Sequence, residues 1–290
     1  MPRLRRSDLN AAGLRRSKRG KGFTYLASDG RAVSSDDLER IRKLVIPPAW
    51  QEVWISPHAH GHIQATGVDA AGRRQYLYHP HWRIQRDLAK HERVLTLATA
   101  LPEARIRVAE GLELSTPDYE RTMAAAFRLL DVGFFRVGSE QYAQRHGTFG
   151  LATLQRSDVS VRGDTVRFSF VGKHSIPVSR RIIDPPLAQV VRSLLRRRDD
   201  NPELLAWREG RRWQDVASGD INEYVRSVTG ADYTAKDFRT WHGTVLAATA
   251  LAVSQGAADD PGKAKRAIRR AIVEVASYLG NTPAVARGSY

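Results

Sequence analysis

Residues 158–178, DVSVRGDTVRFSFVGKHSIPV, decide how the larger part of the chain is read. Val159 and Val161, then Val166, Phe168 and Phe170, alternate with polar residues on either side of Gly163-Asp164. Period-two alternation flanking a Gly-Asp pair predicts a β-hairpin. Gly172-Lys173-His174-Ser175 forms a second turn, with Lys173 at its tip. On both sides the pattern turns helical. Upstream, Thr116-Pro117 reads as an N-cap and first-turn proline, with Tyr119, Met123, Phe127 and Leu130 following at helical spacing. Helices resume near residue 185. Over 263–279, Ala264, Ala267, Ile268, Ala271, Ile272, Val275 and Leu279 line one stripe. Gly280 ends that helix, and Thr282-Pro283 opens another that carries Tyr290.

The first 92 residues read differently. Residues 1–20 are dominated by Arg and Lys and predict a flexible basic arm. Phe23–Leu26 followed by Asp29-Gly30 predicts a hairpin, and Ser35-Asp36-Asp37-Leu38-Glu39 opens a short helix that Ile46-Pro47-Pro48-Ala49-Trp50 breaks. Val53–Ser56, His62–Val68 and Gln75–Tyr78 read as strands, and Trp82–Lys90 begins a helix. The fold class is therefore α+β. It comprises an arm (1–20), a small β-rich N-terminal domain (21–92), and a larger, mainly α-helical domain with a β-hairpin (93–290).

Composition narrows the partners. The 290 residues carry 46 Lys and Arg against 31 Asp and Glu, a net charge of +15. A folded protein this basic matches phosphate polymers or anionic surfaces. No apolar run approaches the ~18 to 20 residues needed to span a bilayer, no apolar signal segment follows the basic start, and there is no cysteine. The absence of Gly-x-x-x-x-Gly-Lys-Ser/Thr argues against P-loop ATP chemistry. Double-stranded DNA is the expected partner, and the chain is read as a monomer without a membrane role.

Candidate residues follow from their surroundings. Arg136, in Phe134-Phe135-Arg136-Val137-Gly138, is a cation among apolar neighbours, suited to a buried carboxylate or to an anionic ligand. Arg239 opens a helix, where a cation opposes the dipole, which points to a function beyond stability. Arg73-Arg74-Gln75-Tyr76-Leu77-Tyr78 mixes cations, an amide and aromatics on one strand, either a base- and phosphate-reading edge or an exposed edge strand. His58, His60 and His62 could share a strand face as a metal site, but Pro57, Gly61 and the lack of a nearby carboxylate favour polar loop histidines.

The ordered set of Arg136, Lys173 on its hairpin, Lys236-x-x-Arg239, Gly280-Asn281-Thr282-Pro283 and Tyr290 resembles the type IB DNA topoisomerases, in their small poxvirus-like and bacterial branch. Ile46-Pro47-Pro48-Ala49-Trp50 is similar to a segment of that family's N-terminal domain, so the resemblance runs from about residue 20 to the end. It implies ATP-independent relaxation of supercoiled DNA through a 3′-phosphotyrosyl intermediate, with no required cofactor and divalent cations at most modulatory. The implied setting is a bacterial cytoplasm, in association with the nucleoid. By the same resemblance Tyr290 is the nucleophile, Arg136 and Arg239 hold the phosphate, Lys173 is the general acid, and Asn281 donates to a non-bridging oxygen where many relatives carry histidine. Arg73, Gln75, Tyr76, Tyr78 and Arg86 match DNA contacts, and the two domains would clamp the duplex. Relatives continue for several tens of residues past the tyrosine, so the chain is read as a truncation whose terminal carboxylate sits beside the attacking oxygen.

Two other readings compete. Tyrosine recombinases share the Arg–Lys–Arg–Tyr set but usually carry His-x-x-Arg, where this chain has Lys236, and they usually lack a β-rich N-terminal domain. A DNA-binding protein without turnover is the second.

Overall fold

A computed structural model describes residues 3–254 and 260–290. The chain divides into two compact units, Met1–His91 and Glu92–Tyr290.

The first unit is built on an antiparallel five-stranded sheet with the order β2-β1-β3-β4-β5. Its strands are β1 (Leu14–Arg19), β2 (Gly22–Leu26), β3 (Gln51–Ile55), β4 (Ile63–Val68) and β5 (Arg74–Tyr78). Helix α1 (Ser35–Lys43) starts at Ser34, whose hydroxyl accepts the Asp37 amide, and brings Ile41 into a core with Leu14, Val53, Ile55 and Ala65. The expected arm at 1–20 is corrected here. Residues 14–19 are an internal strand paired to both β2 and β3, and Arg5 exchanges backbone hydrogen bonds with His60 and His62. Met1 and Pro2 lie outside the described residues. The basic pattern concealed the strand because only Leu14 faces the core. Arg16 turns back instead, donating to the carbonyls of Pro47 (3.0 Å) and Trp50 (2.5 Å), with its guanidinium 4.2 Å from the Phe23 ring centroid. It thereby ties the Ile46–Trp50 loop to the sheet. The β1–β2 hairpin turns at Gly20-Lys21, not at Asp29-Gly30, which closes a shorter turn bridging Leu26 and Ala32.

Helix α2 (Pro80–Glu113) contains the point where the two units divide. In the second unit, α3 (Tyr119–Gly133) is the buried centre. Met123 through Phe127, Leu129 and Leu130 are almost fully enclosed. Its N-cap is Asp118, whose carboxylate accepts the Arg121 amide, not Thr116. Thr116 instead donates to Asp118 (2.6 Å), and the Pro117 carbonyl is used by Arg208, which keeps both residues out of the helix. A short helix α4 (Glu140–His146) precedes the expected hairpin, β6 (Val159–Arg162) and β7 (Thr165–Val171), which β8 (Pro177–Ile183) extends to three strands. Helix α5 (Pro185–Leu195) follows. A hairpin absent from the sequence reading comes next, β9 (Ala206–Glu209) and β10 (Arg212–Asp215) around Gly210-Arg211. The strands are four residues each, too short to alternate visibly. Helices α6 (Ser218–Thr229), α7 (Ala235–Ala252), α8 (Pro261–Leu279) and α9 (Pro283–Ser289) complete the unit. It joins a small β-sheet unit to a larger, mainly helical one, as α+β implied.

Candidate active site

The C-terminus of α8 organises the site. A helix leaves its last carbonyls without intrahelical partners, and its dipole makes that end attractive to cations. Gly280 takes the left-handed conformation (φ 59°) that a side chain disfavours, and the Asn281 amide reaches back to Ala276 (2.9 Å). The carbonyls of residues 278–280 each accept from a different arginine. Tyr278 receives Arg180 of β8, Leu279 receives Arg239 of α7 (2.7 Å), and Gly280 receives Arg136 (3.5 Å).

Arg136 follows the C-terminus of α3, where Phe134 adopts φ 58°. The Arg136 carbonyl accepts the Leu151 amide (2.8 Å), and Gly138 passes so close to Gly150 that neither position has room for a side chain. This pins the loop and aims the guanidinium at Asn281 Oδ1 (2.5 Å). No carboxylate pairs with Arg136 among the described residues. Burial lowers its proton affinity, partly offset by the Tyr290 phenol.

Arg239 is 7% exposed and lies in the second turn of α7, not at its start. Its guanidinium donates to Phe134 O (2.8 Å) and Leu279 O, and it interacts electrostatically with the Tyr290 phenol. The dipole it meets is therefore that of α8, at the favourable end. Burial, then the charge of Arg136, pull its pKa down to about 10, so it remains a cation at neutral pH. Lys236, three residues earlier, is exposed.

Tyr290 follows α9, which Thr282 caps through the Val285 amide. Its hydroxyl accepts Asn281 Nδ2 (3.3 Å), and its ring packs so tightly over Gly243 of α7 that a Cβ there would collide with it. Arg136, Arg239, Asn281 and Tyr290 are thus one group drawn from the loop after α3, from α7 and from the segment leaving α8. Lys173 sits where the chain turns from β7 to β8 and lines a cleft with Arg136, Arg180 and Arg239. These are cations at a pocket with a phenol beside it, an arrangement that suits an anion undergoing attack by oxygen.

Three contributors escaped the sequence reading. Arg180 sits in an Arg-Arg pair on a strand, without a motif. Gly243 is an ordinary helical glycine by pattern. His242 is 7% exposed, with its ring against Phe134 (centroids 4.6 Å apart) and no hydrogen-bond partner at Nε2. Burial drops its pKa to about 4. A buried histidine beside Arg239 in Phe238-Arg239-Thr240-Trp241-His242 was the available signal.

In the first unit the strand residues divide between two faces. Tyr76 and Tyr78 stack on the exposed side of β5 (centroids 6.1 Å apart), the side that Arg74 shares. Gln75 faces the other way and donates to Asp69 (2.9 Å), which also receives Arg73 at 2.8 and 3.0 Å. The bonds from Arg73 hold the Asp69 carboxyl down at about 2. Arg86 is exposed on α2. His58 and His60 lie in the loop before β4, and His62 Nδ1 accepts the Ser7 amide (2.8 Å). Among the described residues no three ligating side chains could hold a metal, and no helix is long and apolar enough to cross a membrane.

Residues 79–289 match the catalytic core of eukaryotic DNA topoisomerase I, and residues 22–69 match the N-terminal domain of bacterial DNA topoisomerase IB. Among curated proteins the chain is 27% identical over 285 residues to DNA topoisomerase 1B of Acanthamoeba polyphaga mimivirus, covering 96% of this chain and 84% of the relative. It is 24% identical over 228 residues to DNA topoisomerase I of monkeypox virus, and 23% identical over 228 residues to DNA topoisomerase 1B of vaccinia virus. Each of these alignments covers 78% of this chain and 68% of the relative. With its catalytic-core match spanning most of its length, the chain belongs to the type IB DNA topoisomerases, isomerases whose substrate is DNA.

Proposed function

We propose that this enzyme relaxes supercoiled DNA without ATP, by cutting one strand through Tyr290 and resealing it. In the forward step the Tyr290 oxygen bonds to phosphorus as the P–O5′ bond breaks. The phenolic proton leaves to solvent, and the Lys173 ammonium gives a proton to the departing 5′-oxygen. The reverse step restores the strand. One ester replaces another, so no nucleotide has to be consumed. Phosphoryl transfer spreads charge over the non-bridging oxygens, where fixed cations act most strongly. Arg136 and Arg239 supply planar forks for those oxygens. Asn281 adds a donor but cannot carry a proton away. The α8 carbonyls, now holding the arginines, pre-orient them for this anion. The two units close on the duplex as a clamp, with Tyr76 and Tyr78 of β5 among the contacts in the first.

The observation that carries this reading is that Asn281, itself held by Arg136, donates to the Tyr290 hydroxyl, with the Arg239 charge beside it. The test is relaxation of a supercoiled plasmid that lacks paired recombination sites, in EDTA and without ATP. The expected result is a ladder of topoisomers from the parent enzyme. Arg136→Ala and Lys173→Ala should retain DNA binding but leave the plasmid supercoiled. Normal relaxation by both variants would overturn the assignment, and a requirement for paired sites would favour a recombinase.

A further inference from the structure

We propose that Arg180 is a positioning residue for the general acid, a role that rests on the reading of Lys173 and Tyr290 above. In an in-line displacement the attacking and departing oxygens lie on opposite sides of phosphorus. Their partners here come from separate elements. Tyr290 and Asn281 belong to the segment leaving α8, and Lys173 belongs to the turn between β7 and β8. The distance between nucleophile and acid is therefore set by how the β7–β8 hairpin is fastened to the end of α8.

Arg180 makes that fastening. It lies on β8 opposite Phe168 of β7, and its guanidinium donates to Tyr278 O on the last turn of α8 and to Ser179 O on its own strand (2.9 Å). It spans the two elements that carry the two reactive ends, in the row of carbonyls that also seats Arg239 and Arg136. No carboxylate neutralises it among the described residues, and it lines the cleft near Lys173 and Arg239. A surface cation needs no such seat. Burial lowers its proton affinity, in keeping with a charge held in place for its geometry.

Acting through Lys173 predicts a selective defect. The experiment measures single-turnover cleavage on two duplexes, one normal and one with sulfur replacing the bridging 5′-oxygen at the scissile phosphate. A thiol ionises near ~8.5, far below an alcohol, so sulfur departs as a thiolate without a proton. Arg180→Gln and Arg180→Lys should cleave the normal duplex roughly 10- to 100-fold more slowly, because an acid displaced by about 1 Å loses that much. Both should cleave the sulfur duplex within about threefold of the parent, with DNA affinity and Tm little changed. Lys173→Ala combined with Arg180→Gln should be no slower than Lys173→Ala alone, as expected of residues acting as a unit.

Equal slowing on both duplexes, or additive losses in the double variant, would mean that Arg180 contacts phosphate or merely supports the fold, and would overturn the proposal. Variants as fast as the parent on the normal duplex would overturn it as well. If the parent protein cleaves neither duplex, the functional reading itself fails, a result distinct from all of these.

Discussion

Replacing Gly243 by alanine separates stability from chemistry. A Cβ at this position would lie 2.9 Å from Tyr290 Cε1, and Cγ and Cδ1 would be nearer still. Non-bonded carbons rest at about 3.5 to 4.0 Å, so the ring must retreat by about 0.6 Å at Cε1 and by about 1 Å at the two nearer atoms. Helix propensity pulls the other way, since alanine gains about 1 kcal/mol over glycine inside a helix, and overpacking costs about 1 to 3 kcal/mol. The net loss is about 0 to 2 kcal/mol, so Tm should fall by at most about 8 °C. Cleavage should not be spared. The Tyr290 hydroxyl accepts from Asn281 and lies in the field of Arg239, and moving the ring disturbs both. A displacement approaching 1 Å from a reacting geometry costs up to about 100-fold, so Gly243→Ala should cleave about 10- to 100-fold more slowly. Single-turnover cleavage of a labelled duplex, quenched in SDS, reads the rate, and a filter-binding assay should show unchanged affinity. A variant that cleaves at the parent rate would refute the argument that this ring seat is the reacting position.

Two predictions concern pH. His242 ionises at about 4 in the folded protein against its ordinary 6.5, so the unfolded chain binds the extra proton between those values and stability falls as pH drops from 6.5 to 4. The full loss is about 3 kcal/mol. Urea denaturation of His242→Phe should show a flatter stability curve than the parent over that range, and equal slopes would refute the assignment. Glu203 has the opposite sign. Burial, then Asp215 and Glu140, push its pKa up to about 7 from 4.5, so its ionisation costs stability above pH 7 and the cost vanishes below 4.5. Glu203→Gln should therefore raise Tm at pH 8 and leave it unchanged at pH 4.5. A rise of the same size at both would point to a cause other than ionisation.

The legible parts of the chain were those where period and punctuation coincide. The β6–β7 hairpin follows from alternation around Gly163-Asp164. The end of α8 follows from an apolar stripe stopped by Gly280, with Thr282-Pro283 restarting the helix. The grouping of Arg136, Arg239, Asn281 and Tyr290 is readable only from their order along the chain, since Arg136 alone suits a buried carboxylate and in fact meets Asn281. What stayed hidden depended on side chains reaching far from their own segment. β1 looked like a tail because Arg16 satisfies backbone carbonyls of a distant loop where a core residue would have been recognisable. Arg73 and Gln75 are engaged by the turn carboxylate Asp69, which carries no local signal. Arg180 is invisible for the same reason, since its partner lies 98 residues away.

The central claim is that Tyr290 becomes covalently joined to DNA. Incubating the protein with 3′-end-labelled and 5′-end-labelled duplexes, stopping with SDS and resolving the products by denaturing gel tests it directly. A DNA–protein adduct should appear with the strand on the 5′ side of the cut, leaving a free 5′-hydroxyl on the other fragment, and Tyr290→Phe should form none while binding the duplex normally. An adduct that persists in Tyr290→Phe, or one attached through a 5′-phosphate, would contradict the account.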